Sequence, residues 1–276
     1  MSFLVKDADL REALEVCERL KADLGADDVS SEAGIARISA VGKGMVANKG
    51  VAARLCSALG DAGINIQMIT TSEINISVVV NSADGERALR AVHQAFALDQ
   101  LPTAEPMAEP PTDLLLSESD TMEGLHVQLV DFDRDQAELK IRGLRDEPGQ
   151  AGLLLGALAD AGINLDIVLQ NSCSTGISVT VKRDDVARAK QVVDAMSPRV
   201  TDEPAQVSTD IAKLSICGVG LRSHAGAAST VFGVLAREGI NIQMIGTSEV
   251  KISVIVPEAD VERAAAALNA ELMLGG

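Results

Sequence analysis

Nineteen residues of the chain occur twice. Ala62–Val80 reads AGINIQMITTSEINISVVV and Glu238–Val256 reads EGINIQMIGTSEVKISVIV; fourteen of the nineteen aligned positions are identical, at an offset of 176 residues. The same offset carries Gly42, Gly44 and Gly50 onto Gly218, Gly220 and Gly226, and Ser2–Lys6 (SFLVK) onto Ser178–Lys182 (SVTVK). A repeat of this length restricts the fold to a series of related modules, because each copy must satisfy the same packing problem.

The modules have aliphatic cores. The 276 residues are 47% hydrophobic, with no Trp, no Tyr and four Phe. The formal charge of −16 leaves no basic footprint of the kind that nucleic-acid binding requires. Cys17, Cys56, Cys173 and Cys217 are scattered singly, and Cys56 falls on Phe232 under the repeat. Such thiols fit as small core side chains in a reducing cytoplasm; they form neither a zinc motif nor a disulfide framework. No run of eighteen apolar residues and no signal-like N-terminus is present, so neither a membrane span nor secretion is expected.

Residues 99–124 hold four of the eight prolines (Pro102, Pro106, Pro110 and Pro111) and many acids, the composition of an extended linker. After it, residues 125–200 read as one module. AELKIR (Ala137–Arg142) alternates as a half-buried strand, and the turn Asp146–Gly149 leads into a helix with Leu154, Leu155 and Leu158 on one face. Ala161-Gly162 ends that helix. Strands follow at Ile163–Gln170 and Gly176–Lys182, then a helix from Asp184 to Met196. The order β-α-β-β-α, closed by a short fourth strand, is the ferredoxin-like pattern: an α+β fold with an antiparallel sheet and helices on one face. Residues 208–276 repeat the plan, with Glu271–Leu274 as a candidate last strand, and residues 34–98 are the twin of that module. Residues 1–28 correspond only to the third strand and second helix of a module. Alone they cannot bury Val5, Leu10, Leu14 and Leu20. The expectation is a fragment of a longer protein, or a half-module completed by another chain.

No catalytic constellation or metal motif emerges. Gly42-Lys43-Gly44 and Gly218-Val219-Gly220 match neither nucleotide-binding glycine pattern, and His93, His126 and His224 lie in unlike contexts. Binding fits better. Glycine-bearing turns, Pro148-Gly149 and His224-Ala225-Gly226, open the first helices of two modules. A helix N-terminus favours a carboxylate, and Asp146 beside it suits an ammonium. Together they suit a free amino acid, although the same residues also serve as plain turns and caps.

Three motifs carry a family resemblance: GINIQMI-x-TSE-x-x-IS (Gly63–Ser77 and Gly239–Ser253), VGLRSHAG (Val219–Gly226), and DRDQAELKIRGLRDEPG with AGINLDIVLQN (Asp133–Gly149 and Ala161–Asn171). They resemble the regulatory ACT domains of aspartokinase, in which two domain types alternate. The middle module is similar to the first type and its neighbours to the second. The resemblance implies an effector site for L-lysine or L-threonine between a first-type and a second-type domain. It would be built here from Asp146, Gly149, Ala151 and Gln170 with Asn241 and Ile242. The N-terminal copy keeps Asn65 and Ile66, but its first-type partner residues would precede Met1. The resemblance further implies feedback control of a kinase domain or subunit that phosphorylates aspartate, and a homodimer formed through ACT sheets. ATP and Mg belong to that kinase domain; this chain has no motif for them and is expected to be inactive alone. Two alternatives remain at this level: a stand-alone regulator acting in trans, and a purely structural dimerisation module.

Overall fold

The computed structural model describes residues 2–23, 25–42, 50–72, 74–98, 126–170, 176–219, 221, 226–248 and 250–273. The linker, Val46–Lys49, Cys173 and the RSHA turn lie outside the described residues.

The strands are β1 (Ile35–Val41), β2 (Met68–Thr71), β3 (Asn75–Asn81), β4 (His126–Arg142), β5 (Val168–Gln170), β6 (Gly176–Val181), β7 (Gln206–Val219), β8 (Met244–Thr247) and β9 (Lys251–Pro257). The helices are α1 (Leu10–Leu20), α2 (Val51–Asp61), α3 (Gly85–Ala95), α4 (Gln150–Asp160), α5 (Val186–Asp194), α6 (Ala227–Arg237) and α7 (Val261–Met273). All nine strands form one antiparallel sheet in the order β1-β3-β2-β5-β6-β4-β7-β9-β8.

The aliphatic core follows from strand alternation. Ile76, Val78 and Val80 of β3 and Leu139 and Ile141 of β4 face the helices. The equivalent helix pairs Leu55/Leu59, Leu154/Leu158 and Val231/Leu235 are each 1% exposed or less. Burying a side chain of this size contributes about 1.5–3 kcal/mol.

The modules interlock in a way the repeat alone does not announce. Strand β4 pairs with β6 through Ala137–Arg142, but its earlier part, Val127–Asp133, lies along Lys213–Gly218 of β7. The start of β7, Gln206–Ser208, in turn lies along Glu138–Lys140. Each long strand is therefore the first strand of its own module and the closing strand of the other. The expected strand at Glu271–Leu274 is corrected: α7 continues to Met273, and the closing position of the C-terminal module belongs to β4. The second strands are also shorter than expected, since Ile163–Ile167 and Ile240–Gln243 lie outside β5 and β8.

Register shifts between Asp133/Gln136 and Gln136/Glu138 fall where β4 and β7 pass between modules. Such irregularities bend and twist a ladder. Beyond them the helix-free face of the C-terminal module packs on the helix-free face of the middle one. Met244, Ile211 and Ile255 cluster there with Ile167 and Leu169. Lys213 of β7 forms an ion pair with Asp166 in this layer, the two side chains being 13% and 18% exposed.

The half-module at the N-terminus has no such packing. Helix α1 buries no residue, and Phe3, Leu4, Val5, Val16 and Leu20 are exposed.

Candidate functional site

At its β5 edge the middle module meets the N-terminal module rather than the C-terminal one. Ile69 and Thr70 of β2 pair with Gln170 and Leu169 of β5. On the helix side of that seam, α2 and α4 run against each other. Gly149 precedes α4 in a left-handed conformation (φ 89°), which a glycine adopts without steric cost. Gly50 does the same before α2 (φ 86°). The two turns sit at opposite ends of the helix pair: a Cβ placed on Gly149 would lie 3.6 Å from the Cα of Gly60, and one on Gly50 would lie 3.5 Å from the Cβ of Ala159. The helix pair is thus close to two-fold symmetric, with AGIN at Ala62–Asn65 and again at Ala161–Asn164.

At the Gly149 end, Asn65 Nδ2 donates a 2.8 Å hydrogen bond to Asp146 Oδ1. No side chain caps α4, so its first turn presents backbone amides and the positive end of the helix dipole. Gln150 Nε2 donates to Glu147 Oε2 at 3.3 Å. The Oε1 atoms of Gln150 and Gln170 are buried without a hydrogen-bond partner. An unpartnered buried acceptor costs about 1–3 kcal/mol, and an ammonium or hydroxyl donor would recover that cost. Ala151 and Ile66 are both 6% exposed and belong to the same apolar core.

This corrects the expected grouping. Asn241 and Ile242 do not face Asp146. They belong to the C-terminal module, whose helix-side core is separate and whose β8 ends the sheet. The position opposite Asp146 is filled by Asn65, with Ile66 following it. The first-type partner expected before Met1 for Asn65 is instead the middle module of this same chain. The identity of the two GINIQMI segments concealed the choice.

At the Gly50 end, a crevice with room for a few waters, about 50 Å³, is lined by Gly50, Ala53, Thr71, Ser72, Ala159 and Asn164, among others. Thr71 Oγ1 accepts from Val168 N at 2.8 Å and donates to Asp166 O at 3.3 Å, stitching the modules together. None of these residues was anticipated as part of a site. The recurrence of AGIN at 62 and 161 was the available signal.

No described helix is long and apolar enough to cross a membrane. The ACT domain family matches residues 38–96, 141–196 and 214–272, more than half of the chain. An aspartate kinase, Ask_LysC of Stutzerimonas stutzeri, is 43% identical over 163 residues, 58% of this chain and 40% of the relative. An aspartokinase of Pseudomonas aeruginosa is 42% identical over 155 residues, 55% of this chain and 38% of the relative. The aspartate kinase structure from Synechocystis superposes with a TM-score of 0.84 at 32% identity, covering 99% of this chain and 46% of that one. A structure of aspartokinase alpha and beta subunits matches with a TM-score of 0.50 at 39% identity, over 52% of this chain and 97% of that one. The chain therefore spans about 40% of the length of these curated relatives. With three modules of one fold, paired edge to edge and matched along nearly their whole length, the chain belongs to the ACT-domain family, as a tandem-ACT regulatory region of the aspartokinase kind.

Proposed function

We propose that the seam between the N-terminal and middle modules binds a free amino acid, L-lysine or L-threonine, and that its occupancy biases an aspartate kinase toward an inhibited state. The observation that supports this reading most directly is the contact between Asn65 and Asp146 beside the uncapped start of α4. Backbone amides of the first turn would receive the ligand's carboxylate. The Asp146 carboxylate has a second oxygen for the ammonium, and the buried Gln170 Oε1 is an acceptor still to be matched. Asn65 comes from the other module, so a ligand bridging the two would favour the paired arrangement. A coupling of this type is worth about 1–3 kcal/mol. The kinase itself, with its ATP and Mg, is proposed as a catalytic domain or partner subunit, on the strength of the relatives' names. A homodimer through further sheet edges is part of the same proposal.

Calorimetric titration of the purified chain with L-lysine and with L-threonine tests this. One of the two should bind saturably, and Asp146→Asn should weaken that binding at least tenfold. The absence of heat with either amino acid, in a chain whose β2–β5 seam is protected from hydrogen exchange, would leave the seam an assembly device only.

A further inference from the structure

Helices α2 and α4 approach each other more closely than side chains at the contact would permit. A Cβ built on Gly60 would lie 2.4 Å from the Cα of Gly149 and 2.8 Å from its nitrogen. A Cβ built on Gly152 would lie 2.8 Å from both the nitrogen and the Oγ of Ser57. These are backbone contacts, or contacts next to backbone, so a rotamer change cannot relieve them. Two glycines, one from each module, set the separation of the helix pair.

The C-terminal module is a near-copy of the N-terminal one but differs at this contact. Under the 176-residue offset, Gly60 becomes Ala236 and Ser57 becomes Gly233. Ala236 is exposed on α6. Placed where Gly60 stands, its methyl would overlap the backbone of Gly149. The helices would have to separate by roughly 1 Å to reach ordinary van der Waals distance, which also pulls on the β2–β5 ladder. Gly233 in place of Ser57 would leave the Gly152 side without the hydroxyl that now fills it. Of the two β2 residues in the ladder, Ile69 is the same in both modules and Thr70 falls on Gly246, a change that leaves the backbone pairing groups in place.

We propose that Gly60 is the residue that selects the N-terminal module, rather than its C-terminal near-copy, as the partner of the middle module, and that it seats that module on the turn opening α4. Gly60 is a positioning residue: it sets where Asn65, five residues on, stands relative to Asp146. This inference rests on the pairing of the modules and not on whether an amino acid binds there.

Hydrogen exchange on the intact chain, with no amino acid added, tests it with Gly60→Ala and Ala236→Gly. Alanine is the better helix former, so propensity alone would slow exchange in α2 of the first variant. The expected result is the reverse at the seam. Peptides spanning Met68–Thr71 and Val168–Gln170 should exchange at least tenfold faster in Gly60→Ala, while β1 and β3 keep their protection. Ala236→Gly should leave the seam unchanged. Unchanged or slower exchange at the seam in Gly60→Ala would overturn the proposal. So would an equal effect from Ala236→Gly. Loss of protection throughout β1–β3 would also overturn it, since Gly60 would then be needed to fold its own module rather than to choose a partner.

Discussion

At the level of single residues, side chains of the same chemical type have separate fates according to what surrounds them. Cys56 is fully buried on α2, and burial pushes its thiol from the ordinary 9.0 up to about 12. Cys17 on α1 is partly accessible. At pH 8 iodoacetamide should therefore modify Cys17 and spare Cys56; prompt labelling of Cys56 in the native chain would show that α2 does not pack as described. The linkage has a definite sign. The folded thiol holds its proton more tightly than the unfolded one, so its contribution to stability is intact below about pH 9 and is lost as pH rises through about 12. Gln170 presents the opposite situation, a buried acceptor with no donor. Gln170→Ala removes an acceptor that the fold does not use, so the fold should persist while amino-acid affinity falls about tenfold or more. Equal calorimetric affinities for the two proteins would take Gln170 out of the site. Asp146, Gly149, Ala151 and Gln170 were all legible as candidates from turn chemistry and resemblance. Their true neighbour was not, because the discriminating residue, Gly60, lies outside the motif that drew attention.

Among the elements, the repeat gave the modules and their helices. It did not reveal that β4 and β7 each serve two modules. The reason is local. A strand is read from strict alternation, and upstream of AELKIR the alternation fails: Leu129 and Val130 are adjacent, and Leu129 is exposed. The register shift between Val127 and Leu129 accounts for this, because one extra residue moves every later side chain to the other face. Helix α7 was cut short for a different reason, the expectation that each module supplies its own closing strand. Helix α4 offers a controlled comparison with Gly60. Gly156 lies within α4, and a Cβ placed there would meet nothing within 4 Å. Gly156→Ala should therefore raise stability by about 0.5–1 kcal/mol through helix propensity alone. Urea unfolding of the intact chain would measure it, and a destabilised variant would contradict the free space seen beside Gly156.

For the whole molecule, the question is what holds the two halves of the bent sheet together. The apolar contribution is small, comprising Ile167, Leu169, Ile211, Met244 and Ile255. The ion pair between Lys213 and Asp166 sits in the same layer, mostly withdrawn from water. Desolvating two charges offsets much of their attraction, so the intact pair adds little net stability, whereas one partner left alone is costly. A fully buried pair loses about 3–5 kcal/mol when one member is removed. The residual exposure of this pair moderates the loss, and about 2 kcal/mol is expected for Lys213→Met. Adding Asp166→Leu to Lys213→Met should restore most of that loss, although Asp166 also lies beside the crevice at the Gly50 end. A double-mutant cycle in urea separates the possibilities. If the double variant loses less stability than Lys213→Met alone, as expected, Asp166 and Lys213 are coupled. If the single losses simply add, they are uncoupled, and the layering of the two sheet halves rests on the apolar cluster with the other contacts between the modules, such as the Arg183–Glu258 ion pair. Because β2 and β5 border that same layer, a coupled pair would also provide a physical route from the amino-acid seam to the C-terminal module. Hydrogen exchange at Met68–Thr71 in Lys213→Met would then rise together with exchange at Met244–Thr247.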